Sequence, residues 1–285
     1  MATDDDEVDY EAEYNNRARV PEHPGIIAAW DRDAAAFRDG MVAAGRAGLA
    51  LAYGPHERHR IDLFRPETDR NGPIALFIHG GYWQALDRSA FSHMAGGLVA
   101  HGVPVALMSY RLCPEVTVAD IIDDARAAAR WLWHQHRRRL LAIGHSAGGH
   151  LAACLLATDW TGGDGGLPEH LVPAAVALSG LFDLEPLTGT SVNDKVRMTH
   201  ETANRASPLA WPAPAGGWLE AYVGSEESGE YHRQADSIVK VWGGHGTETK
   251  MRVVPGANHF TVVNELADPA SDIVTRTAML AHSLE

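Results

Sequence analysis

Four short apolar runs constrain this chain more than any other feature. They are Pro73–Ile78, Val103–Met108, Leu140–Ile143 and Val172–Leu178. Each is too short for a buried helix and lacks the polar alternation of a half-exposed strand. The pattern predicts strands covered on both faces. Helical periodicity falls between them. Val118–His136 places Ile121, Ile122, Ala125, Ala129 and Leu132 on one side, as an amphipathic helix does. Strands alternating with helices imply a mostly parallel sheet wrapped by helices. The reading adds a helix from about Gly25 to Ala44, an outer strand Arg60–Phe64 and a helix Phe91–Ala100. It continues with a helix Gly149–Thr158, a strand Trp218–Val223 and a helix Tyr231–Val241. A strand Met251–Val254 and a helix Thr261–Ala281 close it. The first dozen residues are acidic and expected to be mobile. One domain is expected from Tyr14 onward. The irregular stretch 183–217, rich in Pro, Thr and Asn, is expected to be a lid or insertion over the sheet.

Clefts in such sheets open at the carboxyl ends of the strands, and the candidate motifs fall there. Gly144-His145-Ser146-Ala147-Gly148 follows the run ending at Ile143. G-x-S-x-G at a strand end is the pattern of a nucleophile elbow, which lifts a serine hydroxyl into a cleft. Alone it is weak, since a glycine-rich turn whose serine caps a helix looks the same. His79-Gly80-Gly81-Tyr82-Trp83 follows Ile78. Paired glycines let backbone N–H groups face a developing oxyanion. Gly224-Ser225-Glu226-Glu227 and Gly256-Ala257-Asn258-His259-Phe260 follow the last two strands. Together they supply an acid and then a histidine after the serine, the chain order of α/β hydrolases. Gly-x-x-acid spacing favours Glu227, with Glu226 the alternative. The chain has 16 histidines, so position and not number selects His259. His145 and His79 read as packing or hydrogen-bond props. The pairs His56 with His59 and His134 with His136 read as surface residues without zinc spacing.

Bulk properties exclude other classes. With 285 residues and 45% hydrophobic content the chain can bury a sizeable core. A net charge of −13 argues against nucleic acid and anionic membrane surfaces. No apolar run approaches a membrane span, and the acidic N-terminus lacks a signal peptide's basic and apolar regions. The two cysteines, Cys113 and Cys154, sit in apolar segments and read as buried free thiols. A cytoplasmic protein is expected. No phosphate loop or dinucleotide fingerprint occurs, so neither metal nor cofactor is called for, and a homodimer is left open.

Taken together, His79–Trp83, Tyr110-Arg111-Leu112-Cys113-Pro114-Glu115, Gly144–Gly149 and Gly256–Phe260 resemble the kynurenine formamidase (arylformamidase) branch of α/β hydrolases. That branch is related to the hormone-sensitive-lipase-like esterases, and the likeness runs from about Tyr14 to the last helix. It implies an α/β-hydrolase fold, Ser146 as nucleophile and His259 as base. It implies oxyanion donors from the backbone of Gly81 and Ala147, with Gly80 or Tyr82 as further donors. The family's acid precedes a Ser-Pro-Glu-aromatic stretch, here Ser228-Gly229-Glu230-Tyr231, which selects Glu227. Glu stands where Asp is more usual, and Gly229 where the family has Pro. The resemblance implies cleavage of an aryl formamide or a carboxylic ester through an acyl-enzyme. The alternatives are a short-chain carboxylesterase without formamidase activity, an acyltransferase and a non-catalytic binding protein. Tyr82 and Trp83, with Trp160 or Trp211, are expected to stack on an aromatic substrate. Tyr14-Asn15-Asn16-Arg17 is expected to reach the cleft.

Overall fold

A computed structural model describes residues 8–162 and 166–284. Eight strands form one sheet: β1 Ala47–Ala52, β2 Arg60–Phe64, β3 Ile74–Ile78, β4 Val105–Met108, β5 Leu140–His145, β6 Ala174–Leu178, β7 Trp218–Gly224 and β8 Glu248–Val254. Their order is β1-β2-β4-β3-β5-β6-β7-β8. Only the β1–β2 and β2–β4 pairs are antiparallel; the other five are parallel. This is the α/β-hydrolase fold. The helices are α1 Tyr10–Tyr14, α2 Asn16–Arg19, α3 His23–Ala43, α4 Gly96–Ala100, α5 Val118–His136, α6 Ala147–Leu156, α7 Asn193–Val196, α8 His200–Ala206, α9 Gly229–Gly243 and α10 Asp272–Ser283. Among the described residues, no helix is long and apolar enough to cross a membrane.

The buried runs are as legible in the structure as in the sequence. Every residue of β3, β4, β5 and β6 is buried. On one face they pack against Ile121, Leu132, Leu151, Ile238 and Trp242 of α5, α6 and α9. On the other they meet Trp30, Phe91 and Val274, carried by α3, the turn before α4, and α10. Helix α5 has the predicted bounds because its ends are signalled. Thr117 and Asp120 form a reciprocal capping box, and Arg137 ends the helix in the left-handed region at φ 55°.

Several expectations change. Strand β1 is not predicted: Ala-Gly-Leu-Ala-Leu-Ala at a half-exposed edge has no strand signature. Residues 91–100 are not one helix. A 3₁₀ segment Arg88–Ala95 runs into α4. The last helix is also divided, with 3₁₀ Val262–Ala267 separated from α10 by Asp268-Pro269-Ala270-Ser271, because proline cannot continue a helix. The expected mobile N-terminus lies partly outside the described residues. Its described part folds: Asp9 caps α1, and Glu11 accepts from Ser191 N and Oγ at 2.7 and 2.8 Å. The stretch 183–217, expected as a lid or insertion, contains α7, α8 and two 3₁₀ turns.

His59 is not a surface residue. It is 8% exposed, and its Nε2 lies 3.1 Å from Asp124 Oδ1. Asp124, itself buried, also accepts from Arg111 Nη2 at 2.7 Å, Nε at 3.0 Å and backbone N at 3.0 Å. One carboxylate on α5 thus fixes the Tyr110–Pro114 loop. Removing its charge leaves a partly buried guanidinium unpaired. Asp124→Asn is expected to lower unfolding free energy by about 3 kcal/mol, read as a reduced urea midpoint at unchanged slope.

Candidate active site

The elbow forms because β5 and α6 cross in a space that only glycine permits. A Cβ on Gly144 would lie 2.0 Å from Gly148 O, and one on Gly148 1.9 Å from Ile78 O. Between them Ser146 takes φ 57° and ψ −119°. A side chain held there costs on the order of 1–3 kcal/mol. The turn is tied back by Ser146 N donating to Leu178 O at 2.8 Å and His150 N to Ser146 O at 3.1 Å. Ser146 is 2% exposed and lines a cavity of about 370 Å³ at the carboxyl ends of the parallel strands.

His259 lines the same cavity. Its Nδ1 lies 2.8 Å from Glu227 Oε2. Glu227 is held in turn by Gly224 N at 2.7 Å and by Ser179 Oγ, both on Oε1. Every carboxylate oxygen therefore has a partner. Glu226 is exposed and makes none of these contacts. The extra methylene of glutamate fits because the carboxylate folds back onto its own turn at Gly224. Ser146 and His259 make no hydrogen bond to each other. Such contacts commonly tighten only around bound substrate.

The glycine loop after β3 presses against the serine. A Cβ on Gly80 would lie 3.0 Å from Ser146 Cβ, and one on Gly81 2.4 Å from Ala85 O; Gly81 has φ 107°. Among the described residues, the backbone N–H groups of Gly81 and Ala147 have no acceptor within the protein. Tyr82 lines the cavity. Trp83 does not: it is fully buried and donates to His150 Nδ1 at 3.2 Å. Trp160 and Trp211 also lie off the cavity and carry the guanidiniums of Arg130 and Arg126 on their faces. The aromatic walls are instead Trp30 and Phe260, with Ile27, Leu86 and Val192 beside them.

Tyr14-Asn15-Asn16-Arg17 reaches the cleft, as expected, and so do Ser191, Val192, Asp194 and Lys195 of the insertion. Among the described residues Arg17 and Lys195 take part in no ion pair, and both are exposed at the mouth. Ser179, Tyr231 and Trp30 are not among the residues expected from sequence. Tyr231 packs against His259 with ring centroids 4.5 Å apart and planes tilted by 44°. The Ser179-Gly180 pair that follows β6 and the aromatic that closes Ser228-Gly229-Glu230-Tyr231 were the available signals. Trp30 offered none beyond its place on a long helix.

Three histidines under the site are neutral by construction. His145 Nε2 donates to His259 O at 2.8 Å, His79 Nδ1 to Gly80 O at 2.7 Å, and His150 Nε2 to Ala206 O at 2.7 Å. The two expected props, His145 and His79, therefore support the loops that carry the candidate base and the oxyanion donors. Burial pushes His79 and His150 down to about 4, and His145 well below the usual imidazole range.

Comparisons with known proteins give the family. The BD-FAE family pattern matches residues 61–207. Kynurenine formamidase of Danio rerio is 30% identical over 77% of each chain, and that of Salmo salar 31% over 77% of each. The chain belongs to the kynurenine formamidase-like branch of the α/β hydrolases. A solved structure from Silicibacter sp. TM1040, provisionally assigned as a thioesterase, is 33% identical. It superposes with a TM-score of 0.85 over 94% of this chain and 98% of its own. This protein is therefore a serine hydrolase, and its branch acts on ester or formamide bonds.

The neutral histidines set the pH behaviour of the fold. Their folded pKa values lie below the unfolded value of about 6.5, so the unfolded chain binds more protons below that pH. Stability is full above about 6.5 and falls toward pH 4, by roughly 1.4 kcal/mol per pH unit for each such histidine. The urea midpoint is expected to drop steadily between about pH 6.5 and 5; a flat profile would contradict neutral burial.

Proposed function

We propose that this protein is an aryl formamidase that works through Ser146, His259 and Glu227. The observation that carries the reading is the Glu227–His259 contact beside a strained Ser146, in one cavity with aromatic walls. The kynurenine formamidase relatives support formamide as the bond. The unpaired Arg17 and Lys195 with Asp194 at the mouth suit a substrate that carries carboxylate and ammonium groups, as an amino acid does.

In acylation, His259 takes the Ser146 proton as Oγ bonds to the formyl carbon. Glu227 holds Nδ1–H and stabilises the imidazolium. The N–H groups of Gly81 and Ala147, with Gly80 or Tyr82 adjoining, receive the oxyanion, each worth about 3–4 kcal/mol of barrier. His259 then gives its proton to the nitrogen as the C–N bond breaks, and the aryl amine leaves. Water, deprotonated by His259, attacks the formyl-serine, and formate departs as Ser146 regains its proton. Tyr82, with Trp30 and Phe260, encloses the aryl group. Residues 183–217 act as a cap on the cleft. A small acyl group against a large leaving group matches a formamide better than a long-chain ester.

Ser146→Ala is expected to lower kcat for an aryl formamide by roughly 10⁴-fold or more with folding intact. Retention of most activity would sink the mechanism. Glu227→Gln should cost about 10³- to 10⁴-fold, whereas Glu226→Gln should stay within about twofold. A larger loss at position 226 reverses the acid assignment. If wild-type kcat/KM for N-formylkynurenine lies below that for short aryl esters, the esterase reading replaces the formamidase one.

A further inference from the structure

One cavity residue has a hydrogen-bonding state that the surrounding protons determine. Asn16, at the start of α2, is 6% exposed and lines the cavity together with Ser146 and His259. Its Nδ2 lies 3.1 Å from Tyr82 Oη and 2.8 Å from Tyr231 Oη, and the two phenols are 2.8 Å apart. Tyr82 donates its proton to the carbonyl of Tyr14 at 2.6 Å, since a carbonyl can only accept. Tyr82 therefore accepts in the phenol pair, and Tyr231 donates. Both phenol protons are then spent, and both oxygens offer only lone pairs to Asn16. Burial pushes both phenols upward, so neither loses its proton at working pH. Only the amide NH₂ satisfies this triangle, which fixes the amide orientation.

The Oδ1 of Asn16 is left over. It has no partner among the described residues, and it is not one of the sealed unpartnered polar atoms of the fold. It is an acceptor open to the cavity. Its surroundings place it near the leaving-group path: Tyr82 follows the Gly80–Gly81 loop, and the Tyr231 ring packs against His259 with centroids 4.5 Å apart. His259 is the group that protonates the departing atom.

Resting on the formamidase reading, we propose that Asn16 is a specificity-determining residue whose Oδ1 accepts the N–H of the scissile formamide. As the nitrogen turns pyramidal its lone pair must face His259, so its N–H must point elsewhere and needs an acceptor. An ester oxygen has no such hydrogen and meets Oδ1 with a lone pair. The acceptor thus favours formamide over the isosteric formate, because a site that pairs a substrate N–H rejects the analogue lacking it. No proton moves to Asn16 and no bond to it forms.

Formanilide and phenyl formate differ only at that atom and serve as the probes for the full-length protein. Asn16→Leu is expected to lower the formanilide-to-phenyl formate ratio of kcat/KM by about 10- to 100-fold. Asn16→Ala, which adds no bulk, should do the same, and Asn16→Asp, which keeps an acceptor oxygen, should restore part of the ratio. Labelling by a fluorophosphonate confirms a formed cleft in each variant. An unchanged ratio overturns the proposal, whether both substrates fall together, as for a mere structural prop, or neither falls. If wild-type protein hydrolyses phenyl formate but not formanilide, the formamidase reading itself fails. If it hydrolyses both and Asn16→Leu leaves the ratio alone, only the role of Asn16 fails.

Discussion

The close crossing of β5 and α6 is the contact on which the site depends. Gly144 and Gly148 let the strand end, the helix start and the tip of β3 approach to distances that no Cβ would allow. That approach throws Ser146 into its positive-φ conformation and brings the Gly80 loop against its side chain. Strand order does the rest. β3 and β6 flank β5, and β7 and β8 follow in parallel, so Ser179, Glu227 and His259 all emerge at the same end of the sheet. A parallel sheet with a strained turn at its centre gathers residues from distant parts of the chain without any long-range contact being designed separately.

Much of this was legible because it is written locally. The buried strands announce themselves as unbroken apolar runs, the elbow as paired glycines around a serine, and α5 by its amphipathic stripe. The acid was harder. Gly-x-x-acid spacing favoured Glu227 but left Glu226 as an alternative, and what separates them is tertiary: Gly224 N and Ser179 Oγ hold the one, while the other faces solvent. Trp83 illustrates the opposite failure. It stands beside Tyr82 in an aromatic pair that reads as a substrate wall. The positive φ at both residues, 48° and 56°, turns their side chains apart, one toward the cleft and the other onto His150. Adjacency along the chain does not fix direction when the backbone leaves its ordinary region. Strand β1 and the wall residue Trp30 were invisible for a related reason. Their roles come from what packs on them and not from their own neighbours.

Among the described residues, four imidazoles gather at this end of the sheet, and His259 is the one paired with a carboxylate. His145, His79 and His150 each carry a single proton fixed by a carbonyl partner, in surroundings that penalise a second. They behave as rigid struts. Of the four, His259 has a carboxylate on Nδ1 and lines the cavity beside Ser146. A cluster of imidazoles would otherwise compete for the serine proton. Burial without a counter-ion removes three of them from that competition at a stability cost confined to acid pH.

The N-terminal segment completes the cleft through the same logic of spent protons. Tyr14 donates to Glu230 at 2.7 Å and accepts from Gln234 at 2.8 Å, while its carbonyl takes the Tyr82 proton. Gln234 also joins α9 to the insertion through Asp183 O and Phe182 N. Helices α1 and α2, the Gly80–Tyr82 loop, α9 and the start of the 183–217 stretch are therefore one polar network on one side of the cavity. A network whose donors are all committed has few alternative arrangements, so it fixes geometry more than it adds stability. That distinction matters for the chemistry. In the proposed mechanism the Ser146 end of the cleft needs only to be reactive, and glycines and a strained serine supply that. On the role proposed for Asn16, the end that tells a nitrogen from an oxygen needs an acceptor of defined polarity, and an amide can provide one only where something else decides which way it points. Here two phenols and a backbone carbonyl make that decision.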